Sequence, residues 1–125
     1  MRFSIITPSY RSSGWLKRNI PSVADQGVEH EHIVQDSCSD DGTMNWLSRD
    51  QRVVAYFEQD KGMYDAVNRG LRRAKGEILA YLNCDEQYLP GALAPVADDL
   101  DRHPDVDVCF ADAIIVAPNG GSKSG

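Results

Sequence analysis

Asp60-Lys61-Gly62-Met63-Tyr64-Asp65-Ala66-Val67-Asn68-Arg69-Gly70-Leu71-Arg72-Arg73-Ala74-Lys75-Gly76-Glu77-Ile78-Leu79-Ala80-Tyr81-Leu82-Asn83-Cys84-Asp85-Glu86 is the stretch that decides the fold. Met63, Ala66, Val67, Gly70, Leu71 and Ala74 recur at i, i+3, i+4, i+7, i+8 and i+11, the stripe of an amphipathic helix. Asp65 falls in its first turn and Arg72, Arg73 and Lys75 near its end, as the helix dipole favours, and Gly76 is a natural stop. Ile78 to Leu82 then runs almost uninterrupted in apolar residues, the pattern of a parallel strand covered on both faces.

The same alternation extends in both directions. Upstream, Arg2 to Thr7 reads as a buried strand ended by Pro8. Trp15 to Gln26 reads as a helix carrying Trp15, Leu16, Ile20, Val23 and Ala24, with Pro21 expected to kink or split it and Gly27 to close it. His32 to Asp36 reads as a second strand, and Ser37 to Gly42 as a turn. Thr43 suits the N-cap of a short helix through Trp46 and Leu47, and Val53 to Phe57 a third strand. Downstream, Pro90 opens a helix bearing Leu93, Val96, Ala97 and Leu100. Val106 to Phe110 makes a fifth strand, and Ala113 to Val116 a sixth or its extension. The order βαβαβαβαβ predicts an α/β fold, a doubly wound, mostly parallel sheet with right-handed crossovers and helices on both faces. It occupies one domain over residues 1–117, with a loose Gly/Ser-rich tail over 118–125. There is no internal repeat and no interdomain linker.

Composition narrows the partners. The 125 residues are 42% hydrophobic and 26% charged, with a net charge of -6. That balance disfavours nucleic acid, whose backbone is held by basic patches. It also constrains phosphate ligands: like charges about 4 Å apart at an effective dielectric of about 20 repel by roughly 4 kcal/mol, so a pyrophosphate beside carboxylates calls for an intervening cation. No apolar run approaches the roughly 20 residues of a membrane span. The N-terminus lacks the pattern of a secretory signal, and a cytoplasmic protein is expected. Cys38, Cys84 and Cys109 are widely spaced and read as free thiols, and His30 and His32 do not make a metal set.

In an open α/β sheet, ligands bind beyond the carboxyl ends of the strands, near the point where strand order reverses. Those ends are Thr7-Pro8-Ser9-Tyr10, Asp36-Ser37, Asp60-Lys61-Gly62 and Asn83-Cys84-Asp85-Glu86. Three of the four carry a carboxylate, and one offers an aromatic ring on which a base could stack. Taken singly, Thr7-Pro8 could merely terminate a strand, Asp36 cap a turn, Lys61-Gly62 make a plain turn and Asp85-Glu86 end a solvated loop. Their joint placement at one sheet edge favours a site. No Gly-x-Gly-x-x-Gly, phosphate loop or nucleophile elbow competes with it.

These residues resemble a known family. Ser4-Ile5-Ile6-Thr7-Pro8-Ser9-Tyr10 is similar to the first strand of family 2 glycosyltransferases of the GT-A fold. Asp36-Ser37-Cys38-Ser39-Asp40-Asp41-Gly42-Thr43 is similar to their second-strand signature. Asp60 to Gly70 resembles a motif of one branch, and Leu82-Asn83-Cys84-Asp85-Glu86 resembles the metal-binding Asp-x-Asp element. The likeness covers roughly residues 3 to 112. It implies that Thr7, Pro8 and Tyr10 line the nucleobase pocket and that Asp36 contacts uracil or ribose. Asp60 and Lys61 border the nucleotide, Lys61 offsetting diphosphate charge. Asn83 and Cys84 lie with the sugar donor, and Asp85 ligates a Mg²⁺ or Mn²⁺ that bridges the diphosphate.

Two departures qualify this. Asn83 stands where the element usually carries a first Asp, which removes one negative charge. Members of the family also run well beyond 200 residues, and their later part supplies the acceptor pocket and the catalytic base. The chain therefore reads as the N-terminal, nucleotide-sugar-binding portion of such a fold, with Asp112 the one weak candidate for a base. The reaction implied is inverting transfer of a sugar from a nucleoside-diphosphate sugar, UDP-linked, to a hydroxyl acceptor. The alternative is a non-catalytic nucleotide-sugar-binding or scaffold domain lacking acceptor half and base. A blander reading is an α/β domain with an acidic sheet edge and no ligand. A shortened sheet would leave an uncovered edge and face, so a homodimer or poor solubility is expected.

Overall fold

A computed structural model describes residues 2–103, 113–116 and 122–124. Four parallel strands form the main sheet in the order β3-β2-β1-β4, with β1 Phe3–Ser9, β2 His30–Asp36, β3 Val54–Phe57 and β4 Ile78–Tyr81. Helices α1 Ser13–Ala24, α2 Thr43–Leu47 and α3 Met63–Arg73 connect them in turn. After β4 come a short strand β5 Glu86–Tyr88 and a helix α4 Leu93–Arg102. The strands β6 Ala113–Val116 and β7 Ser122–Ser124 join β5 in a separate antiparallel sheet of order β5-β6-β7. The mostly parallel α/β architecture is as the sequence predicts, with the small antiparallel sheet added. The expected strand over Val106 to Phe110, with Cys109, lies outside the described residues. Within the Gly/Ser-rich tail, Ser122–Ser124 pairs with β6.

All seven residues of β1 are buried, because it is the inner strand between β2 and β4. Phe3 and Ile5 join Val23 of α1 and Leu93 of α4 in one apolar cluster with Leu82 and Tyr88. Leu16 and Ile20 of α1, Val34 and Leu47 form a second cluster, which the Cys84 side chain adjoins. The alternate residues of β1 face α3. A Cβ at Gly70 would stand 2.5 Å from Ile6 Cγ2, and one at Gly76 2.7 Å from Ser4 backbone N, so both glycines permit close approach of chain to sheet. An ionic lattice fastens α3 to the ends of β2 and β3. The Arg73 guanidinium donates to Glu58 and to Gln35 Oε1 (3.0 Å), Gln35 Nε2 donates to Glu58 (2.7 Å), and Arg73 lies over the Tyr56 ring. The bonds from Arg73 and Gln35 hold the Glu58 carboxyl down to about 2.

Several local expectations are corrected. Pro8 does not end β1, which continues to Ser9. Phe3 N donates to Glu29 O and Ser9 O accepts from Ser37 N on the β2 side, whereas Arg2 O and Ile6 O accept from Ile78 and Leu82 on the β4 side. The N–H that Pro8 lacks would therefore point toward β4, whose ladder stops at the Ile6–Tyr81 pair. Pro21 does not split α1, and Asp25 N still donates to Pro21 O at 2.9 Å. The carbonyl robbed of its donor belongs to exposed Lys17, where water can replace it. Thr43 is the first helical residue rather than the cap, and Asp41 accepts from both its N–H and its hydroxyl. The helix after Pro90 starts at Leu93, because Pro90-Gly91 makes a turn with Gly91 at φ +72°. Finally, among the described residues β4 is covered on one face only. Ile78 and Ala80 pack against the core, while Leu79 and Tyr81, on the α3 face, are 53% and 43% exposed.

Candidate functional site

The strand order reverses between β1 and β4. The chain winds outward from β1 through β2 to β3, and then α3 carries it back across to β4. This is the switch point at which an open α/β sheet forms a crevice. The loops after β1, β3 and β4 meet there. Burial raises the Cys84 thiol, and Ser12, just after β1, partly opposes that shift by favouring the thiolate. From the other side, Met63 at the start of α3 receives the Tyr81 hydroxyl at its sulfur (3.2 Å), with the Asn83 amide also near it (3.9 Å). The segment 58–62 therefore passes over the carboxyl edge of the sheet on its way from β3 to β4.

Each side chain expected at the site can be placed. Thr7 is fully buried, and its Oγ1 lies 2.8 Å from His32 Nε2, so its hydroxyl serves the sheet interior. Pro8 is buried beside it. Tyr10 is half-exposed at the end of β1, with the Arg11 guanidinium 5.2 Å from its ring centre. Asp36 is fully buried. Its oxygens accept from Ser9 Oγ (2.9 Å), Ser39 N (2.8 Å) and Ser39 Oγ (2.7 Å), and Ser39 Oγ in turn accepts from Arg11 N (2.9 Å). That relay ties the loop bearing Tyr10 to the loop after β2, and Asp36, wholly buried, presents no oxygen to a nucleotide while its loops stay as they are. Arg11, at φ +50°, also grips Asp40 through two bonds of 2.7 Å, which lowers the Asp40 carboxyl.

Asp60 accepts from Gly62 N (3.0 Å), an Asx turn that aims the chain into α3. Asp65 accepts from Lys61 N (2.9 Å), and this bond leads the causes that lower its carboxyl. The Lys61 side chain itself is exposed at the rim. Cys84 turns its thiol toward the second apolar cluster, so only its backbone is placed to face the crevice. Asn83 holds the turn together: its Oδ1 accepts from Cys84 N (2.8 Å), its N donates to Glu86 Oε1 (2.9 Å), and its O accepts from Glu86 N (3.0 Å). Asp85, half-buried at the tip, is different. Among the described residues its carboxylate receives no hydrogen bond and no ion pair. Asp112 lies outside the described residues.

A divalent cation fits this arrangement in one mode. No three His, Cys, Asp or Glu side chains converge among the described residues. Mg²⁺ and its like are, however, commonly held by one or two carboxylates together with substrate phosphates and water, and Asp85 supplies one such oxygen donor with no competing partner. Sequence reading missed two groups near the site. One is His32, buried beneath Thr7 with Nδ1 unpartnered. The other is a polar row formed by Asn19 and Ser22 of α1 and Gln26 just past its end, which binds the backbone after β4.

Comparison with known proteins agrees with the geometry. The chain is 38% identical over 91 residues to TuaG of Bacillus subtilis, a protein named for teichuronic acid biosynthesis, covering 68% of this chain and 36% of that one. It is 31% identical over 124 residues to a PGL/p-HBAD biosynthesis glycosyltransferase of Mycobacterium tuberculosis, covering 94% of this chain and 48% of the relative. The chain thus spans less than half the length of these relatives. Among solved structures, S. aureus TarS 1-349 in complex with UDP-GlcNAc superimposes with a TM-score of 0.74 at 25% identity, over 83% of this chain and 32% of that one. The mannosyltransferase PcManGT from Pyrobaculum calidifontis, at 24% identity and a TM-score of 0.66, shares the fold, over 79% of this chain and 31% of its own. The pattern described as Glycosyl transferase family 2 matches residues 4–123, and the chain belongs to that family.

Proposed function

We propose that this chain is the donor-binding part of an inverting glycosyltransferase that takes a UDP-sugar, with Mg²⁺ or Mn²⁺, and passes the sugar to a hydroxyl acceptor. The observation that carries the reading is the Asp85 carboxylate, held at the open end of β4 where strand order reverses and engaged by no described residue. In an acidic protein, such a carboxylate beside a diphosphate is favourable only with a cation between them. When bound, that cation would act as a Lewis acid on the departing diphosphate. Asp85 would anchor it, Tyr10 would offer its half-exposed ring to the base, and Lys61 would offset phosphate charge from the rim. Asn83 would act through the turn, since its amide oxygen already holds Cys84 N. Thr7, Pro8, Asp36 and Asp60 would frame the pocket by fixing the loops that carry these groups. The TarS complex with UDP-GlcNAc supports a UDP-linked donor.

The alternative is binding without turnover, which the span of less than half of each relative keeps in view. A cytoplasmic location belongs to the first reading and accords with free Cys38 and Cys84. Self-association belongs to it as well, through the exposed Leu79 and Tyr81 beside the β4 edge.

Calorimetry with UDP and Mn²⁺ tests the site. Metal-dependent binding that disappears in Asp85→Asn is expected, and no binding at millimolar UDP would refute the donor site. Release of UDP together with a glycosylated product separates transfer from binding alone.

A further inference from the structure

The turn that carries Asp85 is held from beneath by α1. Asn19 and Ser22 on that helix and Gln26 just past its end form one row, and all three side chains bond the backbone that follows β4. Asn19 Nδ2 donates to Asn83 O (3.1 Å) and Glu86 O (2.9 Å). Ser22 Oγ accepts from Tyr88 N (3.2 Å). Gln26 donates to Leu89 O (2.9 Å) and accepts from Leu93 N (2.9 Å). The row is graded along the chain, with Asn19 at the Asp85 turn and Gln26 at the entry to α4.

Asn19 differs from the other two. Its amide spans the two ends of the turn, while its own Oδ1 is fully buried with no partner. Flipping the amide would set that oxygen against two carbonyls, so the orientation is dictated by the turn and the vacant acceptor is its consequence. A buried polar atom left unpaired is uncommon and points to a geometric demand that outweighs it. The demand here is legible. The Asn83 and Glu86 side chains are tied to the turn's own backbone, whereas the Asp85 carboxylate is bonded by no described residue. A ligand oxygen is useful to a metal only if its support fixes it to within about 0.5 Å.

We propose that Asn19 is a positioning residue that sets the Asp85 carboxylate by clamping both ends of its turn. This rests on the donor-site reading of Asp85. Outer supports of this kind commonly change metal affinity by about 10–100-fold when altered.

The test compares Asn19→Asp, which is isosteric but turns an oxygen toward the two carbonyls, Asn19→Ala, which only removes the donor, and Gln26→Leu, which loosens the far end of the row. Calorimetry would measure Mn²⁺-dependent UDP binding, hydrogen exchange would follow the Glu86 amide, and thermal melting would grade the three variants. Both Asn19 variants are expected to weaken metal-dependent binding at least about 10-fold and to speed Glu86 exchange, whereas Gln26→Leu lowers the melting temperature with binding unchanged. If Asn19→Asp does not fold, Asn19→Ala carries the comparison. Unchanged metal-dependent affinity in a folded Asn19 variant overturns the inference. So does an equal loss in Gln26→Leu, which would make the row merely structural. A wild-type protein with no Mn²⁺-dependent binding overturns the donor-site reading itself, a result distinct from either.

Discussion

Mild acid should destabilise this protein through His32. The imidazole is fully buried in β2, with Nε2 2.8 Å from Thr7 Oγ1 and Nδ1 without a partner. The tautomer with its proton on Nε2, donating to Thr7, leaves only a bare lone pair unsatisfied. A second proton would bury a charged N–H with nothing to accept it. Burial, aided by nearby His30 and only partly opposed by Asp50, pushes the ring down from 6.5 to about 3. Because the folded value lies below the unfolded one, the unfolded chain takes up the proton first. Stability from this group is full above about pH 6.5 and drains away as pH falls toward 3. At about pH 5 an unfolded imidazole is almost wholly protonated while the folded one is neutral, a difference of about 2 kcal/mol. Urea unfolding of wild type and His32→Gln at about pH 7.5 and 5 isolates the effect, since the carboxylates common to both cancel. Wild type should lose about 2 kcal/mol more than the variant on acidification. Parallel losses, or an NMR titration placing the folded His32 near 6, would refute the reasoning.

Two further outcomes follow from packing. Gly76→Ala should cost about 2–3 kcal/mol in urea unfolding, at the upper part of the overpacking range, because the added Cβ meets Phe3 C and Ser4 N, both backbone, at 2.7 Å. Gly14→Ala, with nothing within 4 Å, is the matched control and should be neutral or slightly stabilising. Self-association at high concentration should weaken when Leu79→Lys and Tyr81→Lys are combined, since these half-exposed side chains lie on β4, the end strand of the described main sheet. Light scattering that finds wild type monomeric throughout counts against that surface.

The fold was legible where a rule is local and periodic. The stripe of α3 from Met63 and the apolar run of β4 are each set by neighbours in sequence, and they fell within a residue or two; α3, however, ends at Arg73 with Ala74 as its cap, and Gly76 instead lets the chain pass close to β1. The exceptions were set across the sheet. Pro8 looks like a terminator until the side of the ladder it faces is known, and only strand order gives that. Likewise, a run such as Ile78-Leu79-Ala80-Tyr81 implies two covered faces, yet whether a helix lies over each depends on where α3 lands, and it lands on β1 and β2. The short strand β5 carries too few residues to show a period.

The site was legible as a set of loops but not as a division of labour among them. Strand ends announce where ligands gather, so Tyr10, Asp36, Asp60 and Asp85 could be named together. Sequence could not tell that Asp36 is an internal anchor, because that depends on Ser9 across the strand pair and on Ser39, which folds back three residues later. Nor could it tell that Cys84 and Asp85, adjacent in the chain, point to opposite environments. The α1 row did leave a trace. Asn19 sits among Leu16, Ile20 and Val23 on the helical stripe that should be apolar, Gln26 follows just past the helix end, and both are buried. A polar residue at a core position must have a partner, and a side-chain amide is suited to hold backbone. Buried amides on a helix packed against such a turn therefore mark where the turn is fixed, even when the turn's own residues do not show it.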